Sequence, residues 1–145
     1  MLVPSCEYNF LKIFIQFNFG IIPPNLETLN LHKNYITTLM PSTVPLKLIY
    51  LELSGNNIEY LPREVFRNLK NLEYLTLSNN MLTNFDYYSQ LPQSLKKLDL
   101  RSNLIQTLQS DAGKLTDFRD LLNLTELFLS QNQWECSCNW NQIHK

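Results

Sequence analysis

The stretch Leu48–Leu61, with the sequence LIYLELSGNNIEYL, contains the pattern from which the fold can be predicted. Leu51 and Leu53 alternate with other side chains, which is the period of a strand with one buried face. Asn56 follows at the point where the chain turns out of that strand, and Ile58 then begins a second pair of apolar positions. A strand this short buries too little apolar surface to be stable alone. The stretch therefore predicts that further copies of the same pattern pack beside it.

The same pattern occurs five times and reads Leu-x-x-Leu-x-Leu-x-x-Asn-x-apolar-x-x-apolar, with the fifth copy ending at Trp134. The copies begin at Leu26, Leu48, Leu72, Leu95 and Leu124, at intervals of 22, 24, 23 and 29 residues. Intervals of 20 to 29 residues are typical of repeats that stack one short strand per copy. Stacking predicts a parallel sheet with the leucines of all copies in one continuous core.

The repeat resembles the leucine-rich-repeat family over residues 25 to the C-terminal tail. The resemblance implies an α/β solenoid, a horseshoe with a short parallel sheet on the concave face and loops, turns or short helices on the convex face. The segment Leu61–Leu69 matches the Leu-Pro-x-x-x-Phe-x-x-Leu return segment of extracellular animal members such as Toll-like receptors and secreted immune proteins. The recurrent asparagines correspond to the family's buried structural ladder: Asn34, Asn56, Asn80, Asn103 and Asn132.

Composition narrows the class of protein. The chain has 145 residues, of which 44% are hydrophobic, and 12 basic against 13 acidic side chains, a net charge of −1. This is one globular unit with no net field that attracts nucleic acid or anionic lipid. The apolar N-terminus is too short and too interrupted by polar residues to predict a membrane span or a convincing signal peptide. Without a Gly-rich phosphate loop or a nucleophile at a recognisable spacing from a histidine, the sequence predicts a non-enzyme without a cofactor.

The two ends differ from the repeat, as the ends of a solenoid must. We predict a degenerate N-terminal cap or repeat over 1–24, five repeats over 25–131, and the start of an incomplete cysteine-rich cap over 132–145. The run Trp134-x-Cys136-x-Cys138 is similar to the opening of the C-terminal cap of extracellular members, which implies disulfides from Cys136 and Cys138 to cysteines outside this chain. The three cysteines lack the ligand number and spacing of a zinc site, so no metal is predicted.

Two further features lie around the long last interval. Residues 110–123 carry apolar side chains at helical spacing and predict a short helix on the convex side. The triplet Asn123-Leu124-Thr125 is a sequon, so Asn123 would accept a glycan if the chain is secreted.

Function is expected on the concave face, which in solenoids is an extended binding surface. Side chains between the leucines include aromatic, arginine and acidic groups of the kind that protein interfaces favour. The candidate ligand-binding residues are Tyr50, Glu52, Tyr74, Thr76, Lys97, Asp99, Arg101 and Phe128.

The sequence thus predicts a non-catalytic protein-binding module. The first hypothesis is a fragment of an extracellular receptor or secreted immune recognition protein that binds a protein ligand, a co-receptor or a microbial or host pattern. Two alternatives stay open: an intracellular, cytoplasmic regulatory or scaffold subunit whose cysteines remain reduced, and a truncated isoform without function. The ligand and the state of dimerisation do not follow from the residues.

Overall fold

The computed structural model of the chain describes residues 24–85, 91–107, 118 and 121–135. Each repeat contributes one strand of three residues. The strands are β1 (Thr28–Asn30), β2 (Tyr50–Glu52), β3 (Tyr74–Thr76), β4 (Lys97–Asp99) and β5 (Glu126–Phe128). Several predicted features lie outside these described residues: most of the 1–24 cap, most of the 110–123 helix, and Cys136 and Cys138.

The five strands form one parallel sheet in the order β1-β2-β3-β4-β5. Equivalent repeat positions lie side by side, since Leu51 pairs with Leu29 on one side and with Leu75 on the other. The prediction of an α/β solenoid with a parallel sheet is therefore confirmed. Because consecutive repeats are adjacent in the sheet, any two equivalent side chains one repeat apart in sequence are neighbours in space.

The leucines of strands and turns form a single hydrophobic core. Those of β2 and β3, Leu51 and Leu75, are fully buried. Opposite the sheet, the chain returns through loops with 3₁₀ turns at Pro41–Thr43 and Arg63–Val65. Phe66 and Phe85 of the return segments are also fully buried, so the core spans from the sheet to the convex side.

The asparagine of each repeat sits at the turn that follows its strand. Asn56 is buried, and its Nδ2 donates to the carbonyls of Leu53 in its own repeat and Leu31 in the preceding one, at 2.8 and 2.9 Å. Its Oδ1 accepts the backbone N–H of Ile36 at 3.1 Å. The same contacts recur in the repeats of Asn80, Asn103 and Asn132, so these amides satisfy backbone groups that the turns would otherwise leave unpaired.

The residue before each asparagine has a positive φ. These residues are Lys33, Gly55, Asn79, Ser102 and Gln131, with φ between 51° and 68°. A left-handed residue costs a non-glycine side chain free energy, so four of the five turns are strained and Gly55 relieves the fifth.

The last described repeat is less buried than those before it. Leu127, Leu129 and Trp134 are only half-buried, although each packs against the core. The indole Nε1 of Trp134 donates to the carbonyl of Leu129 at 3.0 Å, which folds the ring back over its own repeat. Within the described part of the chain, no helix has the length and apolar character that crossing a membrane requires.

Candidate binding surface on the concave sheet

The concave surface is built from the side chains that alternate with the buried leucines. The parallel register arranges them in columns that run across the strands. The first column is Thr28, Tyr50, Tyr74, Lys97 and Glu126, and the second is Asn30, Glu52, Thr76, Asp99 and Phe128. Arg101, two residues after β4, belongs to a third column with His32 and Ser54. The eight candidate residues thus fall into one group on β2 and β3 and a second group around β4 and β5.

The first group centres on a pair of half-buried tyrosines. The ring centroids of Tyr50 and Tyr74 are 6.2 Å apart, with the planes tilted by 36°. The hydroxyl of Tyr50 donates to Oε2 of Glu52 at 3.1 Å, and the backbone N–H of Ser54 donates to Oε1 at 2.8 Å. Both oxygens of the Glu52 carboxylate are therefore held in place beside the aromatic pair.

The surroundings of Tyr50 raise the pKa of its hydroxyl. Burial raises the pKa of Tyr50, the negative charge and hydrogen bond of Glu52 raise it further, and a hydrogen bond with Thr76 lowers it in part. The net direction is upward from the ordinary value. At neutral pH the hydroxyl is protonated and donates its hydrogen bond to the Glu52 carboxylate.

The second group surrounds Phe128 with two cations. The Cζ atom of Arg101 lies 4.7 Å from the centroid of the Phe128 ring, and Nζ of Lys97 lies 5.0 Å from it. Both distances are within the range of a cation–π contact. Lys97 also pairs with Glu126 at 3.0 Å, so the charges around this ring are largely compensated within the chain.

Asp99 lies beneath this group and positions Arg101. Only 4% of the Asp99 side chain is exposed, against 46% of the Arg101 side chain, and Nη2 of Arg101 lies 2.6 Å from Oδ2 of Asp99. Burial raises the pKa of Asp99, but the hydrogen bonds and charge of Arg101 outweigh it, and the net shift is downward. The structure exposes Arg101 and places the buried Asp99 where it holds the guanidinium, and a ligand contact of Asp99 itself stays a prediction.

One contact on this face was not predicted from the sequence. Nδ1 of His32 lies 2.6 Å from Oγ of Ser54, on the neighbouring repeat. The two residues are 22 positions apart, which is one repeat, and that spacing is the signal that could have paired them. Ser54 is buried, so the contact fixes the imidazole against the sheet. Among the described residues, no cluster of three or more histidine, cysteine or acidic side chains has the arrangement of a metal site.

The predicted glycan acceptor lies away from these two groups. Asn123 is exposed in the turn before β5, where its Nδ2 donates to the carbonyl of Gln93 at 2.7 Å. The sequon's Thr125 donates through Oγ1 to the carbonyl of Lys96 at 3.1 Å. The sequon therefore precedes β5 and is hydrogen-bonded to the segment that precedes β4.

Comparison with known proteins supports the repeat architecture. The family model described as Leucine rich repeat matches residues 24–82 and 45–93. Trophoblast glycoprotein of Macaca fascicularis is 38% identical over 90 residues, which cover 61% of this chain and 21% of that protein. Leucine-rich repeat-containing protein 3 of Danio rerio is 31% identical over 106 residues, covering 72% and 37%.

Two further matches extend over more of the chain. Nephrocan of Mus musculus is 30% identical over 156 aligned residues, which cover 79% of this chain and 30% of that protein. Among solved structures, an internalin of Listeria monocytogenes superposes with a TM-score of 0.62 and 28% identity, over 77% of this chain and 31% of that one. The chain therefore spans between about a fifth and two fifths of the length of these relatives.

Proposed function

Because the chain carries repeats of the leucine-rich-repeat family from residue 24 to 93, we propose that it is a non-catalytic protein-binding module whose ligand lies against the concave sheet. The observation that carries this proposal is the composition of that sheet face. Two tyrosines in contact, a phenylalanine and an exposed arginine lie on one continuous rigid surface. Aromatic and arginine side chains supply most of the binding free energy at protein interfaces.

The rigid backbone beneath these groups favours the same role. β2, β3 and β4 each pair with a strand on both sides, β5 pairs with β4, and the turns that follow are fixed by asparagine amides. Side chains on such a support lose little conformational entropy on binding, which raises affinity without any additional contact. The side-chain pairs Tyr50–Glu52 and Arg101–Asp99 are also formed in the free chain.

We further propose that the chain is part of an extracellular receptor or a secreted recognition protein, with immune recognition as the role that its resemblance favours. The return segment Leu61–Leu69 and the Trp134-x-Cys136-x-Cys138 run support the extracellular setting. The exposed sequon at Asn123 is consistent with it, and one relative is a glycoprotein by name. In this setting Cys136 and Cys138 form disulfides and the ligand is a protein or a co-receptor.

The proposal is tested by screening the full chain, fused to an antibody constant region, against an array of secreted and cell-surface proteins. For each binding protein, affinity is then measured by surface plasmon resonance. We expect the double variant Tyr50→Ala with Tyr74→Ala to lose about 1 to 4 kcal/mol of binding free energy.

The matched control is the pair Glu64→Ala with Lys70→Ala, one exposed residue of the return segment and the exposed residue that directly follows it. These changes should leave affinity unaltered. Binding that survives the tyrosine double variant but is lost with the return-segment pair would place the ligand on the convex side and overturn the proposal. If Cys136 and Cys138 are free thiols and Asn123 carries no glycan in the native protein, the extracellular assignment is overturned.

A further inference from the structure

The concave surface is electrostatically uneven along the solenoid. Around β4 and β5 the charged groups compensate each other in the Lys97–Glu126 and Arg101–Asp99 pairs. Around β1 to β3, Glu52 has no cationic partner among the described residues. Glu73, which directly precedes Tyr74, forms an ion pair with Lys96, with 2.8 Å between Oε2 and Nζ. The charge left over beside the two tyrosines is therefore negative.

We infer that Tyr50, Tyr74 and Glu52 form a receptor for a basic side chain, arginine in preference to lysine, presented by the protein that binds the concave face. This inference rests on the proposed function, because it names the chemistry of the ligand at one part of the proposed surface. The partner is a protein that presents a cationic residue at the centre of its binding surface.

The ring geometry suits one cation. The ring centroids of Tyr50 and Tyr74 are 6.2 Å apart. A cation placed above the midpoint of the two centroids, on the solvent side, is therefore offset from each centroid by half of that distance along the line that joins them. Such a cation is within the roughly 6 Å limit of both centroids when it stands no more than about 5 Å above the line that joins them and faces the rings, not their edges. Both rings are half-buried, and a cation–π contact is stronger where water is partly excluded.

The carboxylate supplies the second contact. Oε1 and Oε2 of Glu52 each accept one hydrogen bond within the chain, from the Ser54 backbone and the Tyr50 hydroxyl. An ionised carboxylate oxygen can accept two, so each has capacity for one more donor. A guanidinium can lie flat on a ring and direct two N–H groups at a carboxylate, whereas an ammonium is a strongly hydrated point charge. This difference is the basis of the preference for arginine.

The chain already contains this kind of contact two repeats away. Arg101 lies over Phe128 while two of its nitrogens hydrogen-bond to Asp99. There the aromatic face, the guanidinium and the carboxylate all belong to the same molecule. At β2 and β3 the aromatic faces and the carboxylate are present, and the guanidinium comes from the partner.

The test uses the ¹⁵N-labelled full chain and a short peptide probe, acetyl-Gly-Arg-Gly-amide, with acetyl-Gly-Gln-Gly-amide as the neutral match. Backbone amide shifts of β2 and β3 are followed during titration. We expect saturable shifts with the arginine peptide that weaken in high salt, because an exposed ion contact is screened. The glutamine peptide should produce no saturable shift at these strands.

Two variants assign the contacts. Glu52→Gln keeps the shape of the side chain and removes its charge, and Tyr74→Leu removes one ring. Each should weaken binding of the arginine peptide by about two- to fivefold, the worth of one exposed cation–π or ionic contact. The controls are Glu64→Gln and Tyr60→Leu, an exposed carboxylate and an exposed tyrosine off the concave columns, and both should bind like the unmodified chain. A thermal melt checks that Tyr74→Leu folds, and Glu52→Gln carries the test alone if it does not.

The outcomes separate this inference from the proposed function. Equal binding of the arginine and glutamine peptides, or an unchanged affinity in Glu52→Gln, overturns the inference. If a protein ligand is still lost with the Tyr50 and Tyr74 double variant while the arginine peptide does not bind, the proposed function stands and the inference fails. If every protein ligand ignores the concave variants, the proposed function fails as well.

Discussion

Oδ1 of Asn80 accepts a hydrogen bond from the backbone N–H of Ile58, 22 residues earlier in the chain, at 3.0 Å. Nδ2 of the same amide donates to the carbonyl of Leu53 in the earlier repeat and to that of Leu77 in its own. One buried side chain therefore links two consecutive repeats through both of its polar atoms. The amide thus hydrogen-bonds to buried backbone groups in both repeats, so its loss destabilises two repeats at once.

We expect Asn80→Ala to lower the free energy of unfolding by about 1 to 3 kcal/mol, because it leaves the buried N–H of Ile58 unpaired, whereas the carbonyls of Leu53 and Leu77 keep the amides of Asn56 and Asn103 as donors. Urea denaturation followed by circular dichroism measures the change. Asn68→Ala, an exposed asparagine of the return segment, is the matched control and should cost less than about 0.5 kcal/mol. Equal stability of the two variants would contradict the structural role of Asn80.

Substitution of Leu75 tests which residues of β3 face the core. It is fully buried at the centre of β3, between Leu51 and Leu98. Leu75→Ala should reduce the free energy of unfolding by about 2 to 5 kcal/mol through the lost burial and the cavity left behind. The control is Leu46→Ala, since Leu46 is exposed in the loop before β2. A melting curve for Leu75→Ala that matches the unmodified chain would show that the strand is assigned to the wrong residues.

Gly55 tests the left-handed turn. Its φ is +68°, and a Cβ added there would lie 3.1 Å from Cγ of Lys33. We expect Gly55→Val to cost at least about 1 to 2 kcal/mol, because a β-branched side chain is strained in this conformation and must also displace the lysine. Gly55→Asn should cost clearly less, since Asn79 occupies the equivalent position at φ 54°. Differential scanning calorimetry compares the two, and equal melting temperatures would contradict this account.

The lowered pKa of Asp99 predicts that the free energy of unfolding depends on pH. Arg101 holds the pKa of this carboxylate below its ordinary value, against the opposing effect of burial. The folded state therefore gains stability that is present above the unfolded pKa of about 4 and is lost as the pH falls through the lower folded value. Between pH 5 and pH 2, we expect the unmodified chain to lose more stability than Asp99→Asn, which cannot titrate.

The control for this pH series is Glu64→Gln, which removes an exposed carboxylate of the return segment. Its unfolding midpoint should follow the unmodified chain at each pH. If Asp99→Asn and Glu64→Gln have the same acid profile, the pair between Asp99 and Arg101 contributes nothing to the acid stability of the fold.

Much of the fold could be predicted from the periods in the sequence. The alternation around Leu51 predicts a strand, the recurrence of the pattern predicts that strands stack in parallel, and each of β1 to β5 lies at the second leucine of its copy. The reason is local: each repeat alternates with the same period and turns at the same residue, so few arrangements bury all the leucines. The columns of the concave face follow from that register without further information.

The order, direction and register of the strands, and with them which side chains share a face, therefore follow from the repeat pattern. The contacts among those side chains follow only from the three-dimensional packing. Arg101 lies over Phe128 of the next repeat, Asp99 is buried beneath it, and His32 contacts Ser54. These contacts depend on the rotamers of the side chains and on which polar groups of adjacent repeats lie within hydrogen-bond distance of each other. A repeat pattern fixes the backbone neighbours of a residue, but the packing of adjacent side chains fixes whether its charge faces the core or the solvent.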